Sequence, residues 1–164
     1  MTVIRPVAGR DLAEVLAINN AAVPAVNQLE LEDLEWFIEV STWFSVVEAG
    51  NGLAGFLLGL GGPGLEYASD NWKWFSERYP QGFGYVDRIV VDPGASGAGI
   101  GQALYTTFAA HVRSTGLPRV CCEVNIKPHN ERSLVFHEAF GFEAVGEQNT
   151  EGGAKRVRLF TLEL

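Results

Sequence analysis

Three glycines at alternate positions, Gly97, Gly99 and Gly101, follow the segment Val91-Asp92-Pro93 and run into Ile100 to Ser114, where apolar residues recur at helical spacing. A strand, a glycine-rich turn and a helix N-terminus in that order gather unpaired backbone N–H groups at the positive end of a helix dipole. That is a site for an anion. Glycine permits positive φ there and lets a diphosphate approach the backbone closely. Two familiar phosphate loops do not fit. A Walker loop ends in Gly-Lys-Ser/Thr, whereas Gly101 is followed by Gln102 and Ala103. The dinucleotide fingerprint needs a glycine three residues after Gly99, where Gln102 stands, and an acidic residue about 20 positions on at a second strand end.

The elements that must hold this turn follow from patterning. Thr2 to Val7 alternates as an edge strand, and Leu12, Val15, Leu16 and Asn19 mark a first helix that ends before Pro24. Leu31, Leu34, Phe37 and Ile38 mark a second helix, from about Leu29 to Val40. Thr42 to Ala49 and Leu53 to Leu60 read as a hairpin around Gly50-Asn51-Gly52. Gly61 to Gly82, with Trp72, Trp74, Phe75 and Tyr79, is too long and aromatic for a simple turn, and reads as a helical turn docking on the core or as a pocket wall. Strands at Tyr85 to Val91 and Arg119 to Asn125, a helix from Asn130 to Phe140 ended by Gly141, and antiparallel strands at Phe142 to Gly146 and Arg156 to Leu162 complete the chain. The expectation is one α/β domain over residues 1–164, with a mixed, mostly antiparallel twisted sheet of about seven strands and helices on both faces.

A chain of 164 residues with 47% hydrophobic content buries roughly 70% of its unfolded surface, enough for one core. No apolar run of membrane-spanning or signal-peptide length occurs, so a cytoplasmic protein is expected. Cys121 and Cys122 are adjacent in a strand and point to opposite faces, against a mutual disulfide and against a metal site. Twenty acidic against twelve basic residues give a formal charge of −8, which repels phosphate backbones and argues against nucleic acid. The acidity serves solubility or attracts a cationic amine.

Val91-Asp92-Pro93 followed by Ser96-Gly97-Ala98-Gly99-Ile100-Gly101-Gln102-Ala103-Leu104 resembles the acyl-CoA loop of the GNAT superfamily of N-acyltransferases, whose usual form is Arg/Gln-x-x-Gly-x-Gly/Ala. Ser96 stands where the family has Arg or Gln, which removes one side-chain contact to the pyrophosphate. Asn130-Glu131-Arg132-Ser133-Leu134-Val135-Phe136-His137-Glu138-Ala139-Phe140-Gly141-Phe142 resembles the family's later helix, Asn-x-x-Ser/Ala-x-x-Phe-Tyr/His-x-x-x-Gly-Phe. The resemblance extends from about residue 2 to residue 162.

The resemblance implies acetyl-CoA or coenzyme A as cofactor, a primary amine as acceptor, direct attack, and a splayed central strand pair that receives the pantetheine arm. Ile89 and Val91 then bond pantetheine through the main chain, and an N–H near Val90 polarises the thioester oxygen. The amides of Gly97, Ala98, Gly99, Ile100, Gly101 and Gln102, beside Ser96, receive the pyrophosphate. Asn125, Asn130, Ser133 and Phe136 complete the cofactor contacts, with Asn130 equally suited to capping its helix. Attack requires a neutral amine, although alkyl amines have pKa values of about 10. Tyr85 and Asp87 share a strand face with Ile89, Tyr85 falls where several family members carry a base glutamate, and Asp87 is the expected base or amine anchor. An ion pair of Asp87 with Arg88 or Arg5 is the competing role. His137 occupies the place of the family's thiolate-protonating Tyr, and also suits a packing role. A small-molecule acceptor is favoured over protein N-termini or lysines, and over a non-catalytic acyl-CoA-binding module; the family also implies a homodimer.

Overall fold

A computed structural model describes residues 2–164. In chain order the elements are β1 (Thr2–Pro6), α1 (Leu12–Ala21), α2 (Leu31–Val40), β2 (Trp43–Ala49), β3 (Gly52–Gly62), α3 (Asp70–Arg78), β4 (Phe83–Val91), α4 (Ile100–Ser114), β5 (Arg119–Lys127), α5 (Glu131–Phe140), β6 (Glu143–Thr150) and β7 (Lys155–Glu163). The strands hydrogen-bond in the order β1-β2-β3-β4-β5-β7-β6. Pairs β1/β2, β2/β3, β5/β7 and β6/β7 are antiparallel and β4/β5 is parallel, so the sheet is mixed and mostly antiparallel, as expected from sequence. The β4/β5 ladder comprises Gly84↔Val120 and Tyr85↔Cys121. Two compact units can be distinguished: the chain through Leu60 with Val86–Phe108, and Gly61–Tyr85 with Ala109–Leu164.

In the first unit, β2 and β3 form the hairpin, with Gly50 at φ +64°. Phe44, Val46, Phe56, Leu57 and Leu58 are buried, each worth about 1.5–3 kcal/mol of transfer free energy. Phe108 of α4 lies so close over Gly59 that a Cβ there would meet the ring at 2.3 Å, so glycine lets the helix seat on the strand. Arg5 binds Asp11 at 2.7 and 2.8 Å and Glu48 at 2.6 Å, tying β1 to β2 and to the turn before α1. The guanidinium holds both carboxyls below their usual range. On α2, Leu34 and Phe37 are buried, whereas Leu31 and Ile38, which share the apolar periodicity, are 47% and 41% exposed.

In the second unit, the long aromatic segment contains a full helix, α3, which sequence reading left between a helical turn and a pocket wall. Ser69 caps it by accepting from the Trp72 N–H, and Trp72 and Phe75 face inward at helical spacing. Trp72, Phe75, Phe83 and Tyr85 form one ring cluster, with centroids 5.3–6.1 Å apart. α5 packs on the opposite face of β5 and β7: Thr161 and Leu159 lie on the α3 side with Cys121 and Glu123, while Phe160 lies on the α5 side against His137 and Phe142. β6 continues past Gly146 to Thr150, and glycine at 146 leaves room for the Trp74 ring of α3, which a Cβ there would meet at 2.8 Å.

Candidate active site

β4 delivers the chain to the glycine turn. Asp92 leaves the strand with its N–H donated to Ala54 C=O at 2.8 Å, and Pro93–Ala95 forms a tight turn closed by Ala95 N–H to Asp92 C=O at 2.9 Å. Gly97 and Gly99 have φ of +86° and +77°, and no atom lies within 4 Å of where a Cβ would be built at either. Positive φ, rather than crowding, is therefore what demands glycine, and the space above the turn is open. The first intrahelical bond of α4 runs from Ala103 N–H to Gly99 C=O at 3.0 Å. The amides of Ile100, Gly101 and Gln102 precede it, at the positive end of a 15-residue helix dipole. The Ala98 N–H turns back toward Ala95 C=O at 3.4 Å. Ser96, Gly97, Ala98, Gly99 and Gln102 are exposed. A cleft of about 300 Å³ beside the turn is lined by Thr2, Ile4, Val47, Ala98, Gly99, Ile100 and Ala103. Upstream, Val90 is buried and Ile89 and Val91 are half-buried.

Asp87 is paired with Arg88, not with Arg5. Its Oδ2 accepts from Arg88 Nε at 2.9 Å, with side-chain exposures of 4% and 8%. Arg88 also donates to Asn19 Oδ1 at 3.0 Å and Asn27 C=O at 3.1 Å, and its guanidinium lies 5.5 Å from the Phe37 ring centre. Asn19 itself donates to Asn27 C=O. Asp87 thus belongs to a buried polar network that pins the α1–α2 connection to β4.

Tyr85 is 1% exposed, with its ring against Trp72 and Phe75. Its hydroxyl is within 2.8 and 2.7 Å of the two carboxylate oxygens of Glu123 and donates to that carboxylate. Sequence reading missed Glu123. The available signal was parity: Cys121, Glu123 and Asn125 share one face of β5, and Tyr85 is the ladder partner of Cys121. Burial pushes the Cys121 thiol up to about 12.

The α5 candidates have defined local roles. Asn130 caps the helix, accepting from Ser133 N–H at 3.4 Å, and its own N–H donates to Asn125 C=O at 3.2 Å. Phe136 stacks on Phe140. His137 is 4% exposed and lies on the α5 face, so it is not brought to Tyr85 and Glu123. Its Nδ1 is 2.7 Å from Ser133 C=O, which requires the proton on Nδ1 and leaves Nε2 as an acceptor. Burial lowers its pKa, opposed by the Ser133 bond. An unfolded histidine titrates near about 6.5, so on acidification through that value the unfolded chain takes up a proton that the folded chain refuses. Stability should therefore fall as pH drops below about 6.5, and His137→Phe should flatten that slope in urea unfolding at stepped pH; an unchanged slope would remove His137 as its cause.

Residues 12–142 match the model of the acetyltransferase (GNAT) family. A mycothiol acetyltransferase of Streptomyces avermitilis is 29% identical over 151 residues, 87% of this chain and 42% of that protein. A glucosamine 6-phosphate N-acetyltransferase of Trypanosoma brucei brucei is 39% identical over 61 residues, 37% of this chain and 38% of that protein. The matches thus cover less than half the length of either relative. Among solved structures, Ard1 from Thermoplasma volcanium superposes with a TM-score of 0.79, covering 99% of this chain and 97% of that one at 16% identity, a likeness of fold.

Proposed function

Because the chain belongs to the acetyltransferase (GNAT) family, we propose that it transfers an acetyl group from acetyl-CoA to a primary amine of a small molecule. The observation that carries this reading is the exposed turn from Gly97 to Gln102, with its open upper surface and the amides of Ile100, Gly101 and Gln102 before the first bond of α4. That donor set fits a diphosphate. Acetyl-CoA, when bound, supplies the acetyl group as a thioester. The main chain at Ile89 and Val91 aligns the pantetheine arm, and the Val90 N–H polarises the thioester oxygen. Ser96, short and exposed, leaves the diphosphate held chiefly by backbone. Asn125 of β5 and Asn130, Ser133 and Phe136 at the start of and along α5 are the candidates for further cofactor contacts that the family resemblance names. The two relatives are named for mycothiol and for glucosamine 6-phosphate, which supports a small acceptor here.

Release of free thiol from acetyl-CoA tests this, measured against a panel of amino sugars, including glucosamine 6-phosphate, amino acids, polyamines and short peptides. Release with a small amine supports the reading. Release with peptides alone moves the acceptor to protein, and binding of acetyl-CoA without release from any amine leaves a carrier in place of an enzyme.

A further inference from the structure

Of the five large apolar side chains left exposed among the described residues, Val23, Leu31 and Ile38 belong to α2 or to the connection before it. Leu31 and Ile38 lie seven residues apart, so they form one line along the helix, spanning about 10 Å. At about 100° per residue, Glu35, Glu39 and Glu32 follow around the helix, on the side away from the buried Leu34 and Phe37. All three glutamates are exposed. Spaced i, i+3 and i+7, they make an acidic line parallel to the apolar one.

The acidic line works against the helix that carries it. Glu32 with Glu35, and Glu35 with Glu39, are like charges at the spacings where helical neighbours meet, and they repel. Glu39 stands in the last turn, where the negative end of the dipole disfavours an anion and no basic residue is present. Only the start of α2 gains from its acids: Asp33 accepts from Glu30 N–H at 2.7 Å, and Glu32 sits in the first turn. Among the described residues, no cation or hydrogen-bond donor engages Glu32, Glu35 or Glu39. Solubility alone is served as well by charges of both signs. An uncovered apolar line flanked by one sign of charge is instead the pattern by which a helix selects a partner helix of the opposite sign.

We propose that α2 is the docking face for a basic amphipathic helix of a partner protein. Leucine or isoleucine side chains of that helix cover Leu31 and Ile38, and its lysines or arginines meet Glu32, Glu35 and Glu39. The charge selects among occupants. A second copy docked through the same face would set carboxylates against carboxylates, since a two-fold contact brings each patch onto itself. Nucleic acid and anionic lipid headgroups are repelled by the same three side chains. This surface does not depend on the acetyl-transfer reading, and its test needs no acetyl-CoA.

The probe is a fluorescein-labelled synthetic helix about three heptads long, with leucine along its seam, lysine at the flanking positions and both ends neutralised. Fluorescence anisotropy should give a Kd of about 10 μM that weakens as salt is raised. Leu31→Ser/Ile38→Ser should weaken binding at least about tenfold, and Glu35→Gln/Glu39→Gln by a similar factor. Val135→Ser, which removes an exposed apolar residue of α5, should leave binding unchanged. In 15N-labelled protein, the shifted amides should centre on residues 31–40. Because Glu35 and Glu39 repel within the helix, Glu35→Gln/Glu39→Gln should leave Tm equal or higher, so its loss of binding is not a loss of fold.

No binding at millimolar peptide, or equal binding by the wild type and both double variants, would overturn the proposal. So would equal binding of a peptide with serine in place of leucine, or displacement of the probe by spermidine at equal concentration, since either result means that charge alone is recognised. A fall in Tm for Glu35→Gln/Glu39→Gln would assign the two glutamates to the fold of α2 and remove the argument from repulsion.

Discussion

Gly99→Asp is expected to weaken acetyl-CoA binding at least about 100-fold, equivalent to about 2.7 kcal/mol, with little change in the stability of the free protein. Asp and Asn both tolerate the left-handed region better than other side chains, so either can occupy the φ of +77° at modest cost. No atom lies within 4 Å of the new Cβ, so packing is undisturbed. What differs is charge. Asp places a carboxylate above the amides of Ile100, Gly101 and Gln102, where it takes the anion's place and repels the diphosphate. Gly99→Asn, nearly the same shape, should cost only several-fold. The gap between Asp and Asn should narrow as salt is raised, since exposed charges are screened. Calorimetric titration of the three proteins with acetyl-CoA measures it. Equal affinity of Asp and wild type would mean that this turn holds no anion.

Arg88→Met should cost about 3 kcal/mol of folding stability and lower Tm by roughly 6–12 °C. Methionine keeps the apolar stem beside Phe37, so the loss isolates the guanidinium. The substitution withdraws the donor that Asp87 Oδ2, Asn19 Oδ1 and Asn27 C=O share, in surroundings where Asn19 is fully buried and Arg88 9% exposed. A buried charge that loses its partner costs several times what the intact pair contributes. Asp87→Asn should cost less, because Arg88 keeps its bonds to Asn19 and Asn27. Urea unfolding of both variants, with the slope m as a check on two-state behaviour, gives the values directly. A loss below about 1 kcal/mol for Arg88→Met would show that the network adds little, and would return Asp87 to consideration as a base.

The bounds of α4 were legible as Ile100 to Ser114 because glycines punctuate its start and Ile100, Leu104, Phe108 and Val112 mark its buried face. The hairpin at Gly50-Asn51 was legible for the same local reason. α3 was not separated from its flanks: its buried residues, Trp72 and Phe75, sit among Asp70, Lys73, Glu77 and Arg78, and Pro63 and Pro80 suggest loop on both sides. Leu31 and Ile38 kept the apolar period of α2 yet are exposed, since period alone does not tell which of two adjoining apolar stripes is covered.

The turn from Gly97 to Gln102 was visible because all its determinants are consecutive. The Tyr85–Glu123 pair was not, since its members are 38 residues apart and meet only through the parallel register of β4 and β5. Strand alternation places Asp87 and Arg88 on opposite faces, yet Arg88 reaches back to Asp87 while its terminal nitrogen binds Asn19 and Asn27. His137 was found by its place in the α5 pattern, but its neutral, Nδ1-protonated state depends on Ser133 one turn earlier and on Phe142 and Phe160 from later strands.

The central claim, that the glycine turn of this chain receives the diphosphate of acetyl-CoA, is tested most directly by calorimetric titration of the wild-type protein with acetyl-CoA, coenzyme A and NAD. The account predicts one site per chain for acetyl-CoA and for coenzyme A, with no heat from NAD. No binding of either CoA form at millimolar concentration would contradict it.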